Sequence, residues 1–174
     1  MTKFLYLDDL LLGQKFTSAR KLVNEDEIRA FATAFDPQPF HLDRDAAKKS
    51  RFGGLAASGW HIAAMTMRLL VDSEFRIAGG IVGTGFDEFR WTRPVHPSDT
   101  LHLEAEVVQI RPSASKPEQG LVGENYDLQP GDGAGANPLG KSGRASAIGK
   151  LTTLLAFASV LGDPCFNEVR LVKP

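Results

Sequence analysis

An acid and an imidazole stand five residues apart in the segment Asp36-Pro37-Gln38-Pro39-Phe40-His41, and Ser58-Gly59 follows seventeen residues after the histidine. Burial and neighbouring groups readily bring Asp and His toward neutrality, so the two can take a proton from one atom and return it to another. Ser58 precedes a long apolar run and suits a helix cap. A helix N-terminus offers free N–H groups and about half a positive charge to a developing negative charge. Gly59 lets a ligand approach that backbone closely. The combination suits reactions at carbon beside a carbonyl. An Asp before Pro is also a common turn residue, so the pair gains its weight from the motifs around it.

These residues need elements to hold them. Lys15 to Leu22 has the makings of a first strand. Asn24-Glu25-Asp26-Glu27 is a helix start, with Asn24 as cap and Glu27 as its capping-box partner. Ile28, Phe31, Ala32 and Phe35 then recur at helical spacing. Pro37 and Pro39 end that helix and push Asp36 and Gln38 toward extended backbone, placing Asp36 and His41 on a stiff loop. Asp43 or Asp45 can cap a short helix through Ala46, Ala47 and Lys48. Phe52-Gly53-Gly54-Leu55 is a glycine-bearing turn. From Ser58 to Val71 the chain is apolar nearly all round, which marks a buried helix, and a curled sheet is its natural cover.

Gly80 to Trp91 reads as a strand, and Thr92 to Asp99 as a turn. Thr100 to Ile110 alternates, with Leu101, Leu103, Ala105 and Val107 on one face and His102, Glu104 and Glu106 on the other, as a half-buried antiparallel strand does. Leu121 to Leu128 is a weaker strand. Gln129 to Lys150, rich in Gly, Ala, Ser and Pro, reads as a flexible loop. Leu151 to Val160 fits either a last strand or a short helix.

The bulk composition narrows the function classes. The chain has 174 residues, 43% hydrophobic and 24% charged, with a formal net charge of −1. That fits one soluble domain and gives no basic excess for nucleic acid. The single cysteine, Cys165, excludes an intrachain disulfide and agrees with a reducing compartment. Met1 to Leu12 lacks the basic start and apolar core of a secretory signal. Leu151 to Leu161, the longest apolar run, falls short of the roughly 20 residues of a membrane helix. The expectation is a soluble, cytoplasmic protein with no membrane or nucleic-acid partner.

Four segments in order carry a resemblance: Phe35 to His41; Phe52 to His61 with its Ala-Ser-Gly-Trp; Arg93 to Leu101; and Arg111-x-Ser113-x-Ser115-x-Pro117-x-x-Gly120. Over about residues 15 to 120 the chain resembles the MaoC-like dehydratases, relatives of the (R)-specific enoyl-CoA hydratases. The resemblance implies an α+β hotdog fold, an antiparallel sheet wrapped around a long central helix. It implies a homodimer with a continuous sheet, or a dimer of dimers. The substrate would be an acyl-CoA or acyl-carrier thioester of fatty acid metabolism, with no other cofactor. The activity would be that of a hydro-lyase, adding or removing water across the α,β bond. Asp36 and His41 carry over as the catalytic pair, and the Gly59 N–H as the oxyanion donor.

Two departures stand beside the resemblance. Phe35 and Gln38 replace a glycine and an asparagine of the family loop, which bears on pocket shape. Residues 123–174 form an atypical C-terminal segment of what is expected to be one domain spanning 1–174. Substrate contacts are expected from Ser58, as cap, and from Phe52, Leu55 and Trp60 as pocket walls. His61 and Arg68 should share a polar helix face or pair structurally, and His96 and His102 should be solvated. Four scattered histidines show no metal-ligand spacing, so no metal site is expected. Lys48, Lys49 and Arg51 form a basic cluster, solvated or facing CoA phosphates. The alternatives are a hotdog acyl-CoA thioesterase, which would release free thiol, and a non-catalytic acyl-CoA-binding domain.

Overall fold

The computed structural model of the chain describes residues 4–114, 119–130 and 147–156, the last of these as backbone. The first-strand region divides into β1 (Lys15–Thr17) and β2 (Lys21–Leu22), both antiparallel to β4 (Thr100–Pro112). Helix α1 (Glu25–Phe35) follows. Its cap differs from the capping box expected: the Asn24 side chain accepts the Asp26 N–H at 2.7 Å, while Glu27 turns away to Lys21 at 2.8 Å. An ion pair to a neighbouring strand has outcompeted the local bond.

The prolines end α1 as expected, but His41 is not on a loop. Pro39 occupies the first position of a one-turn helix, α2 (Pro39–Leu42). Its fixed φ and missing N–H cost nothing there, so it starts a helix as readily as it ends one. Asp43 then caps α3 (Arg44–Lys49) through the Ala46 N–H at 2.7 Å. Glu25 latches this corner, accepting from Arg29 and from Arg44 while Arg29 also donates to the Leu42 carbonyl. The guanidinium of Arg44 is the main cause holding the Glu25 carboxyl down to about 2.

Helix α4 (Gly59–Asp72) buries Ile62, Met65, Leu69 and Leu70 against a six-stranded antiparallel sheet. The sheet runs β1-β4-β5-β6-β3, with β2 also on β4. The alternation in β4 is realised: Leu101, Leu103, Ala105 and Val107 are all buried. Leu103 lies opposite Leu128, and Ala105 opposite Tyr126, of β5 (Gln119–Pro130). Full burial of each leucine contributes about 1.5–3 kcal/mol.

The C-terminal ambiguity is decided by pairing. Residues Ala147–Ala156 form β6, a strand between β5 and β3 (Val82–Trp91) with ladders on both sides. The flexible loop expected over 129–150 is therefore shorter at both ends, since β5 runs to Pro130 and β6 starts at Ala147. The stretch between them, and Cys165, lie outside the described residues. In the turn before β4, Asp99 accepts the His96 N–H at 2.8 Å, and Ser98 takes a left-handed φ of 71° to donate its N–H to Val23.

Candidate active site

Asp36 is the C-cap of α1, and its backbone conformation, neither helical nor strand-like, turns its side chain toward α4. There, Asp36 Oδ2 lies 3.4 Å from His41 Nε2 and accepts the Ser58 hydroxyl at 2.6 Å. The other oxygen, Oδ1, accepts the Gln38 amide at 2.7 Å. The Ser58 bond is the largest cause holding the Asp36 carboxyl below the usual range; burial opposes it, and Gln38 and His41 add to it. Asp36 is accordingly a carboxylate at neutral pH.

His41 is 4% exposed, and its Nδ1 lies 2.7 Å from the Ala56 carbonyl. A carbonyl only accepts, so Nδ1 carries the proton in the neutral ring and the lone pair of Nε2 faces Asp36. Two acceptors facing each other at 3.4 Å can hold one proton between them, or both accept from a water placed to one side.

Ser58 caps α4, accepting the Trp60 N–H at 3.3 Å. The Gly59 N–H, at the first helical position, has no protein acceptor among the described residues. It is one of the free donors a helix start leaves. The segment leading to it is pinned from several directions. Leu55 O faces His96 Nδ1 at 2.8 Å, Ala56 O faces His41, and Ala57 donates its N–H to Val95. His96, expected in solvent, is thus a structural bond donor, half-buried in its turn.

Of the expected pocket walls, Phe52 lies beside the pair, its ring centroid 6.2 Å from that of His41 and 5.0 Å from Phe40. Leu55 is buried in the main core. Trp60 is 64% exposed, meeting Trp91 edge-on at 6.0 Å. The Trp91 Nε1 donates to Gly59 O at 3.0 Å, a contact that no sequence pattern announces.

His61 is corrected from the polar face to a buried one. It is 7% exposed and stacked on Phe31 at 4.8 Å, and burial lowers its pKa, so it packs as a neutral aromatic ring. Arg68 pairs with Asp72 at 2.6 Å on the surface. His102 is also corrected: it is half-buried, with Nε2 3.7 Å from Glu104. Among the described residues no three His, Cys, Asp or Glu side chains are grouped to share a metal ion, and no helix is long and apolar enough to cross a membrane.

A family model for the MaoC like domain matches residues 10–126, a span that takes in Asp36, His41, Ser58 and Gly59. The chain belongs to the MaoC-like domain family. Its MaoC-like relatives include a solved MaoC-like dehydratase from Rhodospirillum rubrum, 43% identical, aligned over 90% of this chain and 99% of that one with a TM-score of 0.77. An uncharacterized protein, YdeM, of Bacillus subtilis is 34% identical over 110 residues, 63% of this chain and 78% of its own. The (R)-hydratase PhaJ1 of Pseudomonas aeruginosa, at 21% identity, covers 94% of this chain and 96% of its own with a TM-score of 0.64, a likeness of fold. The hotdog architecture expected from the motifs is the one found.

Proposed function

We propose that this MaoC-like domain is a hydro-lyase that adds water to, or removes it from, the α,β bond of an acyl-CoA or acyl-carrier thioester. One observation carries the reading: the carboxylate of Asp36 and the Nε2 lone pair of His41 converge at 3.4 Å beside the helix start that bears the Gly59 N–H. A water bonded to both Asp36 and His41 from one side gives its oxygen to the β-carbon as one proton passes to the pair. The α,β electrons move toward the thioester oxygen, where Gly59 N–H receives the charge. The pair then returns the proton to the α-carbon, leaving the protein unchanged and the substrate richer by one water. Phe52 borders the acyl path. No further cofactor enters this scheme.

The test is turnover of a short trans-enoyl-CoA, followed by loss of the conjugated thioester's ultraviolet absorbance with free thiol assayed in parallel. Loss without thiol is expected. Thiol release would make the protein a thioesterase, and binding without either would make it a carrier of acyl-CoA.

We further propose a homodimer joined through β3. Among the described residues that strand ends the sheet and pairs with β6 alone, and Phe86 and Trp91 on it are 55% and 44% exposed. A bulge between Phe86 and Glu88 shifts the alternation so that Phe86, Phe89 and Trp91 form one row, with centroids 5.3 and 4.9 Å apart. An open edge beside an aromatic row is a hazard unless covered. Light scattering should give twice the chain's mass, and Phe86→Asp should move it toward one; a monomeric wild type would remove the dimer.

A further inference from the structure

Ser58 is 1% exposed, and its hydroxyl makes two bonds in different directions. The Trp60 N–H can only donate, so Oγ accepts there at 3.3 Å, and the hydroxyl's single proton goes to Asp36 Oδ2 at 2.6 Å. That same oxygen faces His41 Nε2. We propose that Ser58 is a positioning residue, its one hydroxyl fixing Asp36 Oδ2 against His41 and tying that carboxylate to the helix turn that carries the Gly59 N–H. This rests on the hydro-lyase reading and adds to it: the proton pair and the oxyanion donor are held as one unit across 22 residues of sequence.

The groups around the carboxylate are few. Gln38 and His41 face it from α2 and its leading residue, Ser58 from the start of α4, and His41 is the titratable one among them. Without the hydroxyl, Oδ2 loses its closest donor. The carboxylate is then easier to protonate, and one rotation about its side chain carries Oδ2 away from His41. A 1 Å misplacement of a reacting group is worth on the order of 10²-fold in rate.

Two variants separate positioning from capping. Ser58→Ala removes both roles. Ser58→Gly removes the hydroxyl yet remains an acceptable N-cap, so helix stability is largely kept. Both are expected to lower kcat by about 10- to 100-fold with little change in KM, and to move the acid limb of the rate profile to higher pH. A residue that only capped would leave Ser58→Gly near wild type with the acid limb in place, and that result would overturn the proposal. The second readout needs no turnover. Carbon-13 titration of the Asp36 carboxyl, assigned with Asp36→Asn, should show a higher midpoint in both variants. Should the wild type fail to hydrate an enoyl-CoA, a raised midpoint still supports the tie to Ser58, and an unchanged one removes it.

Discussion

Asp36→Asn is expected to lower kcat/KM for an enoyl thioester by about 10²–10⁴-fold, the usual worth of a positioned proton-transfer group. The amide is nearly the same shape but takes up no proton near neutrality, so a water bonded to His41 Nε2 loses the carboxylate that would share its proton. The fold should survive. An amide has one acceptor oxygen where the carboxylate has two, so either Gln38 or Ser58 is left facing an NH₂ group. A lost bond of this kind at a partly exposed site costs about 1 kcal/mol. Denaturant unfolding should therefore show a small change beside a large kinetic one. Turnover at the wild-type rate in a folded Asp36→Asn sample would take Asp36 out of the chemistry.

Gly59→Ala should produce the second large effect, for a reason that opposes helix propensity. A methyl at Gly59 would stand 2.7 Å from Trp91 Cε2 and 2.9 Å from Cζ2 and Nε1, closer than such contacts occur. Trp91 is 44% exposed and can swing aside, but doing so breaks its bond to Gly59 O. Ala gains up to about 1 kcal/mol over Gly in a helix, offsetting part of the clash. Stability should move little, whereas the displaced N–H should lower kcat/KM by about 10²–10³-fold. Trp91→Ala in the same chain removes the obstruction, so the double variant should recover rate beyond the product of the single effects. An unchanged rate in Gly59→Ala would mean that the oxyanion is held elsewhere.

Much of this was legible in the sequence because the signals were local. The apolar run from Ser58 and the alternation of Leu101 to Val107 each report a single element, and Asp36 and His41 lie close enough in sequence for one short turn to bring them together. What escaped was set by contacts between elements. Glu27 answers to Lys21 rather than to its own helix end. His61 is polar by type, yet it packs as a ring because Phe31 lies over it. His96 reads as a turn residue until the Leu55 carbonyl, 41 positions earlier, is beside it. The Ser58–Asp36 bond joins a cap to a cap, and each looks complete alone. The last strand could not be told from a helix by periodicity, since only its two neighbours fix it as β6.

The pinned segment Leu55–Ala57 has a consequence for how such a protein can change. Its backbone is held by His96, His41 and Val95, and those attachments set where α4 begins. Phe52 and Trp60, which flank it, take no part in them. A substitution at Trp60 leaves those attachments intact, whereas one at Phe52 also removes the ring stacked beside His41. The start of α4 is thus fixed from outside the helix, and change at its exposed Trp60 need not move it.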